Sequence, residues 1–322
     1  MHTLGIDIAK AELVCCLLDG KGATLDEFTL PNTAVGIRKL PRRVPADTIL
    51  CFEATGPYGK LLIACLGERL PLHQLNDIQV RAGSSSMSRT KTDQRDARVI
   101  AQAGRRLALL EPDALAASRV QWSERHENML LLVQDYERLS GEITRRNGQL
   151  EALSVNPAPM ARVMEKRIRR EVAALEKSKQ RAAAEIEEAA EECPEAKLIR
   201  TIPGIGSLSA VALAAKIGDI NRFESADKLK GYLGQYPRRF QSGKHESGGR
   251  MARHGCRLIR HLLWNIARVA ARYNPVCKAL FERLREKEKR VPAAYGAVAR
   301  QIVQLVYGVL RSGRPFEARI AT

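Results

Sequence analysis

Along the first hundred residues, short runs of aliphatic and β-branched residues alternate with stretches of helical period. LGIDI, LVCCLL and TLDEFTL read as three strands, TILCFEA after Pro45 as a fourth, and Leu72 to Leu75 as a short fifth. Helices are expected from about Tyr58 to Leu70 and from about Asp93, closing a compact α/β unit near Leu110. The period then changes. Met129, Leu132, Tyr136, Leu139, Ile143, Leu150 and Leu153 alternate spacings of 3 and 4, with Arg146 the only polar residue in the seam, and predict a coiled-coil helix. The prolines of NPAP, Pro157 and Pro159, must break it. Ile168, Val172, Leu175, Ala182, Ile186 and Ala189 then carry a returning helix as far as ECPE, which makes an antiparallel hairpin serving as spacer, dimerisation element or both. From Lys197 the pattern is helical with glycine breaks, including a long helix from about Cys256 to Arg272 and two more beyond residue 275. The organisation predicted is an α/β domain over 1–112, a helical coiled-coil linker over 113–194 and a mostly α domain over 195–322.

Charge narrows the choice of partner. Lys and Arg total 53 against 36 Asp and Glu, a formal +17 that favours DNA or RNA. A membrane is the competing polyanionic surface, but no apolar run approaches the roughly 18 to 20 residues of a spanning helix. MHTLGIDIAK carries charges inside its apolar stretch and reads as a first strand, not a leader, so a cytoplasmic protein, nucleoid-associated when acting, is expected. The cysteines at 15, 16, 51, 65, 193, 256 and 277 form no C-x-x-C pair and read as reduced core residues. His254, Cys256 and His261 lack the second pair that a zinc site needs.

Four carboxylates stand where chemistry is expected. Asp7 ends the first strand, Glu53 ends TILCFE, and Asp93 and Asp96 open a helix. An i, i+3 pair of aspartates shares one helical face and repels unless a cation or solvent offsets it, although helix-start aspartates are also ordinary caps. Strand-end carboxylates lie where open α/β sheets bind ligands. If the four converge, hard oxygen donors in that number suit Mg²⁺ or Mn²⁺, the ions that serve phosphoryl transfer. A second candidate region is the basic stretch 236–260, with Arg238, Arg239, Lys244, Arg250, Arg253, Arg257 and Arg260 among glycines and serines. Composition alone fits either a solvated loop or a phosphate-tracking surface. IPGIG at 202–206 is similar to the turn of helix-hairpin-helix motifs, in which Gly204 and Gly206 would let a helix N-terminus meet a phosphate; it is also ordinary turn material.

GIDIAK at 5–10, EATG at 53–56 and KTD at 91–93 through DAR at 96–98 together resemble the three acidic blocks of insertion-sequence-110-type transposases and the related pilin-gene-inverting recombinases. Order and separation agree, and the resemblance runs on through the linker, the Pro-Gly-Ile-Gly turn, a serine segment and a helical tail. It implies a ribonuclease-H-like N-terminal domain of the RuvC type, with Asp7, Glu53, Asp93 and Asp96 as a Mg²⁺ (or Mn²⁺) tetrad. It further implies that Ser242, before Gly243, is a nucleophile forming a covalent phosphoserine link to DNA; Ser247 is the alternative. The function expected is a site-specific recombinase that cuts and rejoins donor and target DNA, with a structured guide RNA and a homodimer or larger assembly. The rivals are a Holliday-junction resolvase, which needs no serine, and a non-catalytic nucleic-acid-binding protein, which needs neither serine nor carboxylates.

Overall fold

Five of the apolar runs hydrogen-bond into one sheet. β1 (His2–Ile8), β2 (Glu12–Leu18) and β3 (Thr24–Pro31) form an antiparallel meander. β4 (Thr48–Glu53) and β5 (Leu72–Leu75) extend it in parallel on the far side of β1, giving the order β3-β2-β1-β4-β5. The central strands are covered on both faces, which is why they read as nearly continuous apolar runs, whereas the edge strand β3 alternates. The computed structural model describes residues 1–53, 56–67, 69–83, 93–120, 122–236, 240–242, 245–247 and 255–318, and the backbone alone at 82, 83, 93, 240–242 and 245–247.

One face of the sheet packs Leu4, Ile6, Leu50 and Phe52 against Ile37 of α1 (Ala34–Ile37) and Leu62 and Leu66 of α2 (Lys60–Leu66). The helix expected from Tyr58 to Leu70 is shorter than its apolar pattern. It begins after Gly59 and ends at Gly67, where a Cβ would sit 2.6 Å from the Ile63 carbonyl oxygen. The other face carries α3 (Asp77–Gly83), α4 (Asp93–Leu110) and α5 (Pro112–Ala117), whose Val80, Ala97, Ile100, Ala101, Leu107 and Leu115 are buried. A mixed sheet with helices on both faces fits the ribonuclease-H-like domain expected here.

The tightest contact of this unit is between backbones. A Cβ on Gly5 would lie 2.0 Å from the Ala97 carbonyl oxygen and 2.3 Å from the Ala101 nitrogen; one on Gly104 would lie 2.3 Å from Cys51 Sγ. Glycine at both positions lets α4 rest directly on β1 and β4. Gly104 also neighbours Thr3, while Ala97 neighbours Gly5, so α4 runs opposite to β1.

The chain divides into two compact units, Met1–Glu124 and Arg125–Thr322. The second begins with two long helices, α6 (Glu124–Ser154) and α7 (Pro159–Glu192), the latter starting with proline at a position that needs no N–H. They form an antiparallel hairpin: the Arg125 guanidinium donates to the Glu192 carbonyl, the Lys179 ammonium sits 4.9 Å from the centre of the Tyr136 ring, and Arg146 pairs with Glu171 at 3.1 Å. There follow α8 (Pro194–Arg200), α9 (Ser207–Ile217), α10 (Ala226–Tyr232), the short antiparallel pair β6 (Phe240–Ser242) and β7 (His245–Ser247), α11 (Arg257–Tyr273), α12 (Pro275–Glu286) and α13 (Val291–Ser312). Met129, Val133, Ile186 and Ala190 at the hairpin base share one core with Val211, Leu213, Ile266, Ile302 and Val306. Among the described residues, no helix is long and apolar enough to cross a membrane.

The glycine contact predicts opposite outcomes for one and the same substitution. Gly5→Ala forces a methyl into the backbone of α4 and is expected to cost about 3 kcal/mol or more. Gly141→Ala, on an exposed stretch of α6 with open space around it, should gain about 0.5 to 1 kcal/mol. Urea unfolding of the two variants measures both; an unchanged midpoint for Gly5→Ala would show that the close approach does not hold α4.

Candidate functional site

Sheet register brings two of the expected carboxylates level. Ile6 of β1 pairs with Phe52 of β4, and Asp7 and Glu53 are the next residue on each strand. Neighbouring parallel strands lie about 4.8 Å apart, and level residues point to the same face. For Asp7 that face is the one Gly5 presents to α4, since the two are separated by a single residue. From Gly5 to Asp7 the strand advances about 6.6 Å, and from Ala97 back one turn to Asp93 the helix recedes about 6 Å. The first turn of α4, which holds Asp93 and Asp96, therefore stands over the ends of β1 and β4. Asp7, Glu53 and Asp96 are each half-buried, and the side chain of Asp93 lies outside the described residues. The N-terminal end of α4 carries the positive pole of its backbone dipole, which favours negative charge at this spot.

Among the described residues, no three His, Cys, Asp or Glu side chains are grouped closely enough to hold one ion. Among the described residues, Asp7, Glu53 and Asp96 offer carboxylate oxygens at this corner, the kind of ligand that suits a hard divalent cation. Burial pushes the Cys51 and Cys15 thiols each up to about 12, so these two stay protonated at neutral pH. Arg98, one turn into α4, pairs with Glu27 of β3 at 2.8 Å, and that carboxylate pushes its guanidinium pKa up.

The second region divides between described and undescribed residues. Ser242 ends β6 with its backbone opposite His245, and Ser247 lies opposite Phe240. Arg238, Arg239, Lys244, Arg250 and Arg253 lie outside the described residues; Arg257 opens α11 and is exposed. Gly204 adopts φ +101°, and a Cβ there would stand 2.9 Å from Ala270 Cα of α11. Its glycine is thus required by a left-handed turn and by packing. Gly206 caps α9 and faces open space; with Gly204, Ile205, Ser209, Asn265 and Val269 it lines a cavity of about 440 Å³. Buried Asn274 anchors this turn by donating to the Pro203 carbonyl at 3.4 Å while its Oδ1 accepts from Val276 and Cys277 at the start of α12.

Sequence reasoning did not single out Gly104, Ala97 and Ala101, which set the height of α4 above the sheet. The available signal was a row of small residues at spacings of 3 and 4 in a helix, opposite a glycine inside a strand.

Comparison with known proteins connects the two regions. Residues 4–154, which contain all four expected carboxylates, match a family model described as a transposase. Residues 196–282, which contain the Gly204 turn and Ser242, match the model of the transposase IS116/IS110/IS902 family. The pilin gene-inverting protein of Moraxella bovis is 28% identical over 334 residues, covering 98% of each chain. The insertion element IS110 uncharacterized 43.6 kDa protein of Streptomyces coelicolor is 27% identical over 127 residues, 39% of this chain and 31% of that one. RuvC of Thermus thermophilus in complex with a Holliday junction substrate superposes with a TM-score of 0.29 and 11% identity, over 34% of this chain and 96% of RuvC. With both transposase models matched in order and a gene-inverting relative aligned over nearly its whole length, the chain belongs to the insertion-sequence-110-type transposase family and is an enzyme acting on DNA.

Proposed function

We propose that this transposase cuts and rejoins DNA through a serine nucleophile supplied by its second unit, assisted by divalent metal held at the acidic corner of its first. The observation that carries the reading is the common level of Asp7, Glu53 and the first turn of α4. Asp7, Glu53, Asp93 and Asp96 would hold Mg²⁺ or Mn²⁺, which supplies charge stabilisation to the phosphate and its leaving oxygen. Ser242 Oγ attacks phosphorus; the Oγ–P bond forms as the P–O bond to the departing sugar oxygen breaks, the serine proton passes to a base and the sugar oxygen takes one up. The phosphoserine diester conserves the broken linkage, so reversal of the step rejoins strands without an external energy source. Arg238, Arg239, Lys244, Arg250, Arg253 and Arg257 neutralise DNA phosphates around the serine, and the amides at Gly206 add a neutral contact. Carboxylates and serine belong to different units of the chain, and a homodimer or larger assembly brings one of each to a single phosphate. A structured guide RNA is the second nucleic-acid partner, a reading supported by the resemblance and compatible with the +17 charge.

Three outcomes test this reading. Asp7→Asn and Glu53→Gln should each lower metal-dependent strand cleavage by about 100-fold or more with unchanged urea midpoints; near-normal cleavage by either rejects the metal corner. Trapped reactions should contain DNA covalently attached at Ser242, and Ser242→Ala should bind DNA yet give no adduct. An adduct mapped to Ser247 moves the nucleophile, and cleavage with no adduct favours a hydrolytic resolvase. Protein purified free of RNA should not recombine until the RNA transcribed from the flanks of its gene is restored; full activity without RNA removes the guide from the scheme.

A further inference from the structure

The second unit carries a charged surface that the chemistry above does not use. Ile168, Val172, Ala182 and Ile186 mark the buried stripe of α7. At about 100° per residue, Arg162, Lys166, Arg170, Lys177 and Arg181 fall within one arc of about 100° on the side opposite that stripe. All five are exposed, and none forms an ion pair among the described residues. Between Arg162 and Arg181 the same arc holds no carboxylate; Glu165 pairs with Arg169 and Glu171 with Arg146, both off it. Beyond Arg181 the sign reverses, and Glu188 and Glu191 occupy the arc. An ordinary solvated helix face mixes the two signs, usually as i, i+4 pairs; this one separates them.

We propose that this outer face of α7 lies along the phosphate backbone of duplex DNA, as a sequence-neutral docking arm distinct from the reacting segments. The ladder spans about 28 Å, with cations stepping by about 6 Å from Arg162 to Lys166 to Arg170. A linear polyanion fits such a row. α7 contains no aromatic residue, so the face has nothing on which to stack unpaired bases, as single-strand binding requires. Contact with phosphates alone positions a duplex without reading it. DNA is the duplex chosen, because the family acts on DNA; the inference needs neither the serine nor the metal of the preceding section.

The test uses the full-length protein and a fluorescent duplex DNA of arbitrary sequence, with binding measured over a salt series. The variant replaces Arg162, Lys166, Arg170, Lys177 and Arg181 by Gln, which has similar helix propensity, so the hairpin should stay folded by circular dichroism. Each phosphate contact contributes about 0.9 to the slope of log affinity against log salt, so the slope should become shallower by about 2 or more, up to about 4.5. A control replaces the exposed cations Lys278, Arg283, Lys287, Lys289 and Arg290 by Gln, for the same change in net charge, and should lose less than half as much. A smaller change in slope, or an equal change in the control, overturns the proposal. So does unaltered DNA binding with a changed sedimentation coefficient, which would assign the face to another copy of the chain, or a loss confined to duplex RNA.

Discussion

The first unit of this enzyme depends on the distance at which one helix rests on one sheet. Ordinary side chains would hold α4 clear of β1 and β4; Gly5 and Gly104 remove the spacer, so that backbone meets backbone beside Ala97 and Ala101. Because α4 runs opposite to β1, the same contact sets its first turn over Asp7 and Glu53. The ion pair that joins α4 to the edge strand, Arg98 with Glu27, has an arginine side chain that is 49% exposed. An exposed pair of this kind contributes about 0 to 1 kcal/mol, far less than the cost of forcing a methyl between packed backbones, so close packing holds the helix and the ion pair only trims it.

A similar device recurs in the second unit. Gly204 turns the chain in a left-handed conformation and lets the loop before α9 touch Ala270 of α11, while buried Asn274 pins the Pro203 carbonyl. The cavity lined by Gly204, Gly206 and Asn265 thus lies beside a turn held by packing and hydrogen bonding to the core. Of the two glycines in that turn, the first is required by its left-handed backbone and by packing, whereas the second has ordinary extended backbone and open space around it.

The long hairpin divides along its length. Its base, through Met129, Val133, Ile186 and Ala190, belongs to the core of the second unit. Further out, burial thins to positions such as Leu139, Ala161, Ile168 and Val172, and Val155, Met160 and Val163 are exposed. The net charge of the chain is correspondingly uneven: carboxylates gather toward the base of α7 and unpaired cations along its outer side.

Much of the fold is legible in the sequence. Strand periodicity located β1 to β5, and the NPAP prolines located the break between α6 and α7. These are properties of residues close together in the chain, where local period and backbone chemistry decide the outcome. The seam on α6 was read through Leu132, which is only half-buried, while neighbouring Val133 is fully buried, because several helices compete for that surface and not α7 alone. The extent of α2 was decided by Gly59 and Gly67 against an apolar pattern that ran longer. The level pairing of Asp7 with Glu53, and the closeness of α4 to both, came only from the tertiary structure. They rest on pairings between residues 46 to 101 positions apart, Asp7 with Glu53 and Gly104 with Cys51 and Thr3, and periodicity reports which face an element buries but not what it meets there or how near.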